Sequence, residues 1–146
     1  MSNFFVLSQF VLLGVIATFG SVLVPDLTII IQLFAVVLAV WAMKEKSFKV
    51  SIFPEPTKEM SFIQTGPYRL VRHPMYTSLI ILGAVWTYNS PSIISIVALV
   101  GLIMILWNKS KYEEAFLRAK YGELYDSYHT RVGRFIPKIS KTRSKK

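Results

Sequence analysis

The sequence predicts an all-α polytopic membrane protein: four transmembrane helices arranged as two hairpins, with further helices along one membrane face. Three observations predict it. Hydrophobic residues make up 53% of the 146-residue chain and charged residues 17%, and the mean hydropathy is +0.46, outside the usual range of soluble globular domains. The apolar residues fall into four blocks separated by polar or proline-containing breaks. All 17 Lys and Arg residues lie either between the second and third blocks or after the fourth. A chain of this length, residues 1–146, is one membrane domain, so its chemistry must use the helices and the loops beside them.

The first block, 4–24, has neither a basic leading segment nor a small-residue cleavage site, and reads as a retained span. Pro25 and Asp26 are the only breakers before the second block, 27–43, which implies a tight helical hairpin. Residues 44–74 carry both charge signs and are interrupted by Pro54, Pro56 and Pro67; they are too polar to cross a bilayer and read as an interfacial loop. The third and fourth blocks, 75–88 and 93–107, fall short of the ~20 residues of a full span. Between them, "NSPS" offers Ser90 as a cap and Pro91 for a first helical turn, predicting a second hairpin.

Residues 108–137 are polar enough to leave the membrane. Tyr112, Phe116 and Ala119, then Tyr121, Leu124, Tyr125 and Tyr128, recur at helical spacing, which predicts two pieces parted by Gly122 with an aromatic face against the bilayer or the interfacial loop. Residues 138–146 are a solvated basic tail suited to anionic lipid headgroups. No aromatic-interleaved motif accompanies the tail, so a nucleic-acid partner is not expected. The one-sided basic residues place both termini and the central loop in the cytoplasm, with membrane lipids as neighbours. The absence of cysteine excludes disulfides, thiolate metal sites and cysteine nucleophiles, and no metal site is expected.

Function is therefore sought on the basic face, where "TGPYRLVRHPMY", 65–76, meets the third span. "GPYRLVRHPMY", an apolar hairpin, and then "EEAFLRAKYGELYDSYHTRV" ending at Pro137 resemble the catalytic half of the isoprenylcysteine carboxyl methyltransferase family. That family is part of a wider group of small integral-membrane methyltransferases that includes the phospholipid methyltransferases. The resemblance covers Ser61 to Pro137; residues 4–43 match only as generic membrane helices.

The resemblance implies S-adenosylmethionine as cofactor, held without a Rossmann sheet at the cytoplasmic interface. The implied cofactor-binding residues are Met60, Ser61, Phe62 and Ile63 through their backbone, Tyr68, His73 and Tyr76 through their side chains with Pro74 and Met75 between them, and Glu113. At the position where the family has an arginine facing the acceptor, this chain has Lys109, which keeps the charge and loses the planar fork suited to a carboxylate. The acceptor is a lipophilic molecule such as a prenylated cysteine carboxylate; phospholipid amines and small lipophilic thiols remain open.

The chemistry asks for the same residue types. The cofactor carries a sulfonium, an ammonium, a carboxylate and an adenine. Glu113 suits the ammonium, while His73, before the helix that Pro74 begins, suits the carboxylate. Methyl transfer requires orientation in a water-poor site and no protein nucleophile. Other polar residues have plainer readings. Arg69 and Arg72 read as topology anchors, Glu114 as a solvated helix residue, and Tyr121, Tyr125 and Tyr128 as a packing belt. Arg131 fits either a headgroup phosphate or the substrate. A non-catalytic membrane subunit would explain the helices but not the ordered motif pair, and a sterol-reductase-type enzyme would need more spans.

Overall fold

The computed structural model describes residues 2–22, 27–46 and 62–138, with side chains from Phe4 onward. Five α-helices occupy them: α1 (Ser2–Phe19), α2 (Thr28–Glu45), α3 (Pro74–Asn89), α4 (Ile93–Tyr121) and α5 (Glu123–Arg131), with a 3-10 turn at Gly66–Arg69 before α3. Among the described residues there is no strand, only an isolated parallel bridge between Val71 and Gly133. The expected all-α class holds.

Each boundary has a local cause. Helix α3 starts on Pro74, whose missing N–H would have had no intrahelical partner at that position. Helix α4 starts with a capping box. Ser92 Oγ accepts from the Ser95 N–H at 3.0 Å, and Ser95 Oγ accepts from the Ser92 N–H at 3.1 Å. The cap is thus Ser92 rather than Ser90, and Pro91 lies before the helix. Gly122 separates α4 from α5 as expected, at φ +51°, a left-handed conformation that glycine adopts without strain.

Three boundaries and pairings differ from the sequence reading. The first helix stops at Phe19 instead of 24, because the chain is drawn across the end of α3: the Ser21 N–H donates to the Trp86 carbonyl at 3.1 Å, and Asn89 Nδ2 donates to the Ser21 carbonyl at 3.0 Å. The turn at Pro25 and Asp26, most of the central loop and the basic tail from 139 lie outside the described residues. The fourth helix does not end at Trp107. It runs unbroken for 29 residues, about 44 Å at 1.5 Å per residue. Residues 108–121 contain no proline or glycine and are rich in Lys, Glu, Ala, Leu and Arg, so polarity ends the apolar stretch without ending the helix.

The helices also pair differently. Helix α1 packs chiefly along α4, and α2 along α3, both antiparallel, whereas α1 and α2 are not substantially packed on each other. Sequence adjacency carries no driving force in an apolar medium; close packing and interhelical hydrogen bonds do. Lys109 Nζ donates to Gln9 Oε1 at 3.0 Å across α1 and α4, and Trp86 Nε1 donates to Gln32 Oε1 at 3.0 Å across α2 and α3. The core at the α1–α4 seam is small: Ile16, Ala98, Leu102 and Leu106.

Two helices, α2 and α4, are long and apolar enough to cross a membrane, with mean hydropathies of 1.7 and 2.0 over their most apolar stretches. Only 22% and 33% of those stretches is buried. A core helix of a soluble protein would be mostly covered, but here Phe34, Val37, Val97 and Met104 all project outward. That is the surface a bilayer covers.

Candidate functional site

The antiparallel course of α3 and α4 returns position 113 to the level of position 73, so residues 40 apart in sequence become neighbours. Glu113 and Glu114 adjoin in the chain but project about 100° apart on the helix. Both are buried, and His73 lies between them, with Nε2 3.0 Å from Glu114 Oε1 and Nδ1 3.5 Å from Glu113 Oε2. The Tyr76 hydroxyl donates to the Glu113 carboxylate. Two groups thus hold the Glu113 carboxylate in one orientation.

Glu114, at 7% exposure, is not the solvated residue expected from the sequence. Its carboxylate accepts from Arg72 Nε at 2.9 Å, from Arg134 Nη2 at 2.7 Å and Nε at 3.2 Å, and stands 3.7 Å from His129 Nε2. A buried carboxylate facing two guanidinium groups retains its charge through pairing. Nor is Arg72 a surface anchor, since its Nη1 also donates to the carbonyls of His129 and Val132. Arg69 is exposed, as an anchor should be. The helical period alone put Glu114 toward solvent because it could not anticipate that residues 132–136 fold back over α4.

That returning segment is a strap. The Arg72 N–H donates to the Gly133 carbonyl at 2.8 Å, the His73 N–H to the Arg134 carbonyl at 3.1 Å, and Thr77 Oγ1 to the Phe135 carbonyl at 3.0 Å. The Arg134 guanidinium lies 4.4 Å from the centre of the Trp107 ring, and Phe135 meets His73, Tyr76 and Trp107 edge-on. A Cβ on Gly133 would fall 1.8 Å from the Ile136 carbonyl oxygen, so only glycine permits this turn.

Two cavities adjoin at His73 and Glu113. The larger, about 200 Å3, is lined by Tyr68, His73, Pro74, Met75, Tyr76 and Glu113 on its polar side, and by Phe10, Ala39 and Leu79 on its apolar side. Gln9 and Lys109 also line it, and Lys109 is only 2% exposed, its ammonium 5.1 Å from the centre of the Tyr76 ring. The smaller, about 50 Å3, is walled by Phe62, Ile63, Leu117, Tyr125 and Tyr128. Lys46, Tyr68, Arg72, His73 and Glu113 line both.

The aromatic wall carries its own electrostatics. Burial pushes the Tyr68 hydroxyl above its ordinary range, and the Glu113 carboxylate adds to the shift. Burial also raises Tyr128, to about 12, against an opposing pull from Arg72. The Tyr128 hydroxyl donates to the Tyr68 carbonyl at 2.7 Å, tying α5 to the 3-10 turn. Partial burial, then Arg72, lowers His129.

Of the residues read from the sequence, Phe62, Ile63, Tyr68, His73, Pro74, Met75, Tyr76, Lys109 and Glu113 all line these cavities. Met60 and Ser61 lie outside the described residues. Arg131 lies elsewhere, exposed on α5 with its Nε bonded to the Ser127 carbonyl. Both ring nitrogens of His73 face protein carboxylates, which leaves Lys46 and Arg72 as the cations lining both lobes. Sequence reasoning missed Gln9, Lys46, Arg134 and Phe135. A signal existed for Gln9, an amide in an otherwise largely apolar span, where polar groups seek interhelical partners.

A family model described as phospholipid methyltransferase matches residues 20–124. The match takes in the 65–76 stretch, Lys109, Glu113 and Glu114, and stops before Tyr125 and the strap. No curated protein matches the chain.

Proposed function

Because this chain belongs to the phospholipid methyltransferase family, we propose that it is an integral-membrane enzyme that takes a methyl group from S-adenosylmethionine and delivers it to a lipid-borne acceptor. The observation that carries this reading is the pair of adjoining lobes of unlike character that meet at Glu113. One is aromatic and closed by α5; the other runs apolar between α1, α2 and α3. A water-soluble cofactor and a lipophilic acceptor need such a junction.

S-adenosylmethionine supplies a methyl group carried on a positively charged sulfur. Glu113, oriented by Tyr76 and His73, holds the cofactor ammonium. Lys46 takes the cofactor carboxylate, while His73 positions Glu113. Phe62, Ile63 and Tyr68 bound the remainder of the cofactor, and Pro74 and Met75 line the larger lobe beside it. Tyr125 and Tyr128 of α5 wall the smaller lobe, so donor and acceptor meet in a site where orientation supplies much of the rate and no protein nucleophile takes part. Lys109, with Gln9, offers a cation to an anionic group on the acceptor. An isoprenylcysteine presents its carboxylate there and a phospholipid its phosphate; the family match favours the phospholipid. Arg131, outside both lobes, meets a headgroup phosphate at the surface.

The same reading gives the chain four crossings with both termini cytoplasmic, α1 and α3 being accommodated by local thinning of the bilayer. Reporters fused after Pro25 and Asn89 should behave as external, and those after Ser47 and Lys146 as internal. The function is tested by incubating membranes that contain the protein with S-adenosylmethionine labelled in its methyl group. Label should enter a lipid fraction and be lost with Glu113→Gln. Folded wild-type protein that transfers no label to any lipid extract sinks the reading.

A further inference from the structure

Glu114 and His129 line neither lobe, yet they continue a line of titratable groups that runs from the larger lobe to the surface. The Tyr76 hydroxyl, on the wall of that lobe, donates to the Glu113 carboxylate. Glu113 Oε2 stands 3.5 Å from His73 Nδ1, His73 Nε2 is 3.0 Å from Glu114 Oε1, and Glu114 Oε2 is 3.7 Å from His129 Nε2. The first and last of these gaps exceed a good hydrogen bond, and each closes with a side-chain movement of less than ~1 Å. His73 and both glutamates are buried, whereas the His129 side chain is 33% exposed. The line is shut from solvent in its middle and opens at α5.

An amine acceptor gives such a line a use. At neutral pH the amine is an ammonium with no electron pair to offer. Its methylation replaces an N–H bond with an N–C bond, breaks the cofactor's S–C bond with the electron pair staying on sulfur, and leaves one proton over. A carboxylate acceptor leaves none. We propose that Tyr76, Glu113, His73, Glu114 and His129 form a proton exit route whose outlet is His129. This rests on the methyltransferase reading with a phospholipid amine as acceptor. The Tyr76 oxygen accepts the amine proton as its own proton passes to Glu113. His73 takes that proton at Nδ1 and yields the one on Nε2, so Glu113 regains the charge that the cofactor ammonium needs. Glu114, kept ionised by Arg72 and Arg134, holds the proton only in passing and delivers it to His129 Nε2. His129 is faced by Tyr125 of its own helix, by Glu114 and Arg118 of α4, by Arg72 and by Lys138. Partial burial, then Arg72, sets it below its ordinary value, so at neutral pH its imidazole is uncharged and able to accept. It lies beyond the residues that the family model matches.

The test uses the full chain in detergent micelles that carry phosphatidylethanolamine, S-adenosylmethionine labelled in its methyl group, and the variant His129→Gln. Wild-type protein should label the lipid amine. His129→Gln should transfer label about a hundredfold more slowly. Its affinity for S-adenosylhomocysteine, measured by calorimetry, and its thermal midpoint should match the wild type, because His129 lines neither lobe. Added imidazole, a small base that reaches the exposed end of the line, should restore the rate, and a purely structural role would not respond to it. A wild-type rate in the variant, or a slow one that imidazole leaves unchanged, overturns the route while leaving the cofactor reading intact. So does label that enters the carboxylate of an N-acetylated prenylcysteine and never phosphatidylethanolamine. Wild-type protein that binds no S-adenosylhomocysteine and labels neither acceptor removes the methyltransferase reading and this inference with it.

Discussion

Glu114→Ala is the perturbation that most directly probes how the site is held together. The substitution deletes the acceptor of four hydrogen bonds, from Arg72 Nε, His73 Nε2, Arg134 Nη2 and Arg134 Nε, at 2.7 to 3.2 Å. Counted singly at about 1.5–3 kcal/mol for a charged partner, they would sum to roughly 6–12 kcal/mol. That overstates the loss, since four donors share two oxygens and their contributions are not additive. Leaving a buried charge without its partner costs about 3–5 kcal/mol, and this is the expected destabilisation. Arg118–Asp126 provides the contrast. Its 2.6 Å separation is shorter than any contact of Glu114, but the two side chains are 56% and 50% exposed, so Arg118→Ala should cost about 0.2–1 kcal/mol. Unfolding of the detergent-solubilised protein, followed by far-UV circular dichroism, measures both. Adding Arg134→Ala to Glu114→Ala should cost less than Arg134→Ala alone, because the guanidinium has already lost its partner. If Glu114→Ala destabilises no more than Arg118→Ala, or if the two cluster substitutions add fully, the buried hub is not what holds the strap.

Three further outcomes are expected. Tyr128, ordinarily near 10.0, is raised to about 12 in the fold, so the unfolded chain loses this proton first as pH rises. Stability should be level below pH 10 and fall between pH 10 and about 12, by at most about 3 kcal/mol from this group, with a shallower fall in Tyr128→Phe; equal slopes in alkaline unfolding curves would contradict the assignment. Gly133→Ala places a Cβ against the Ile136 carbonyl, and should displace the strap and weaken S-adenosylhomocysteine binding more than tenfold while helical dichroism persists; unchanged affinity would show that the strap is dispensable. His73→Ala and Glu113→Ala should each weaken the same ligand by about 1–3 kcal/mol, with less than their sum in the double variant because His73 acts through Glu113; full affinity in folded His73→Ala would remove it from the site.

Much of the site was legible from local sequence because short motifs carry their own geometry. "GPYR" makes the 3-10 turn, Pro74 starts α3, and the antiparallel hairpin of α3 and α4 brings position 113 back to position 73. The resemblance carried by those motifs implied Tyr68, His73, Tyr76, Lys109 and Glu113 as one site, and the antiparallel course of α3 and α4 brings them to one end. Helix α5 and the break at Gly122 were equally legible, from aromatic spacing and a residue that tolerates positive φ. The chain's apolar composition and the one-sided placement of its basic residues are likewise properties of the sequence alone.

What the sequence could not determine concerns partners that no local period encodes. Glu113 and Glu114 project about 100° apart on one helix, and the helical period by itself sends Glu114 toward solvent. Only the return of residues 132–136 turns Glu114 from a solvated residue into the buried hub of Arg72, His73 and Arg134, because burial is set by what covers a residue and not by its own helix. Pairing of α1 with α4 and of α2 with α3 likewise depends on shape and on the Gln9–Lys109 and Gln32–Trp86 bonds, which connect residues 100 and 54 apart. The chain by itself determined which segments are helical, which are apolar and which polar groups gather at one end. The tertiary structure decided which of those groups are buried together, since the free energy of a buried charge depends on neighbours that lie far away in sequence.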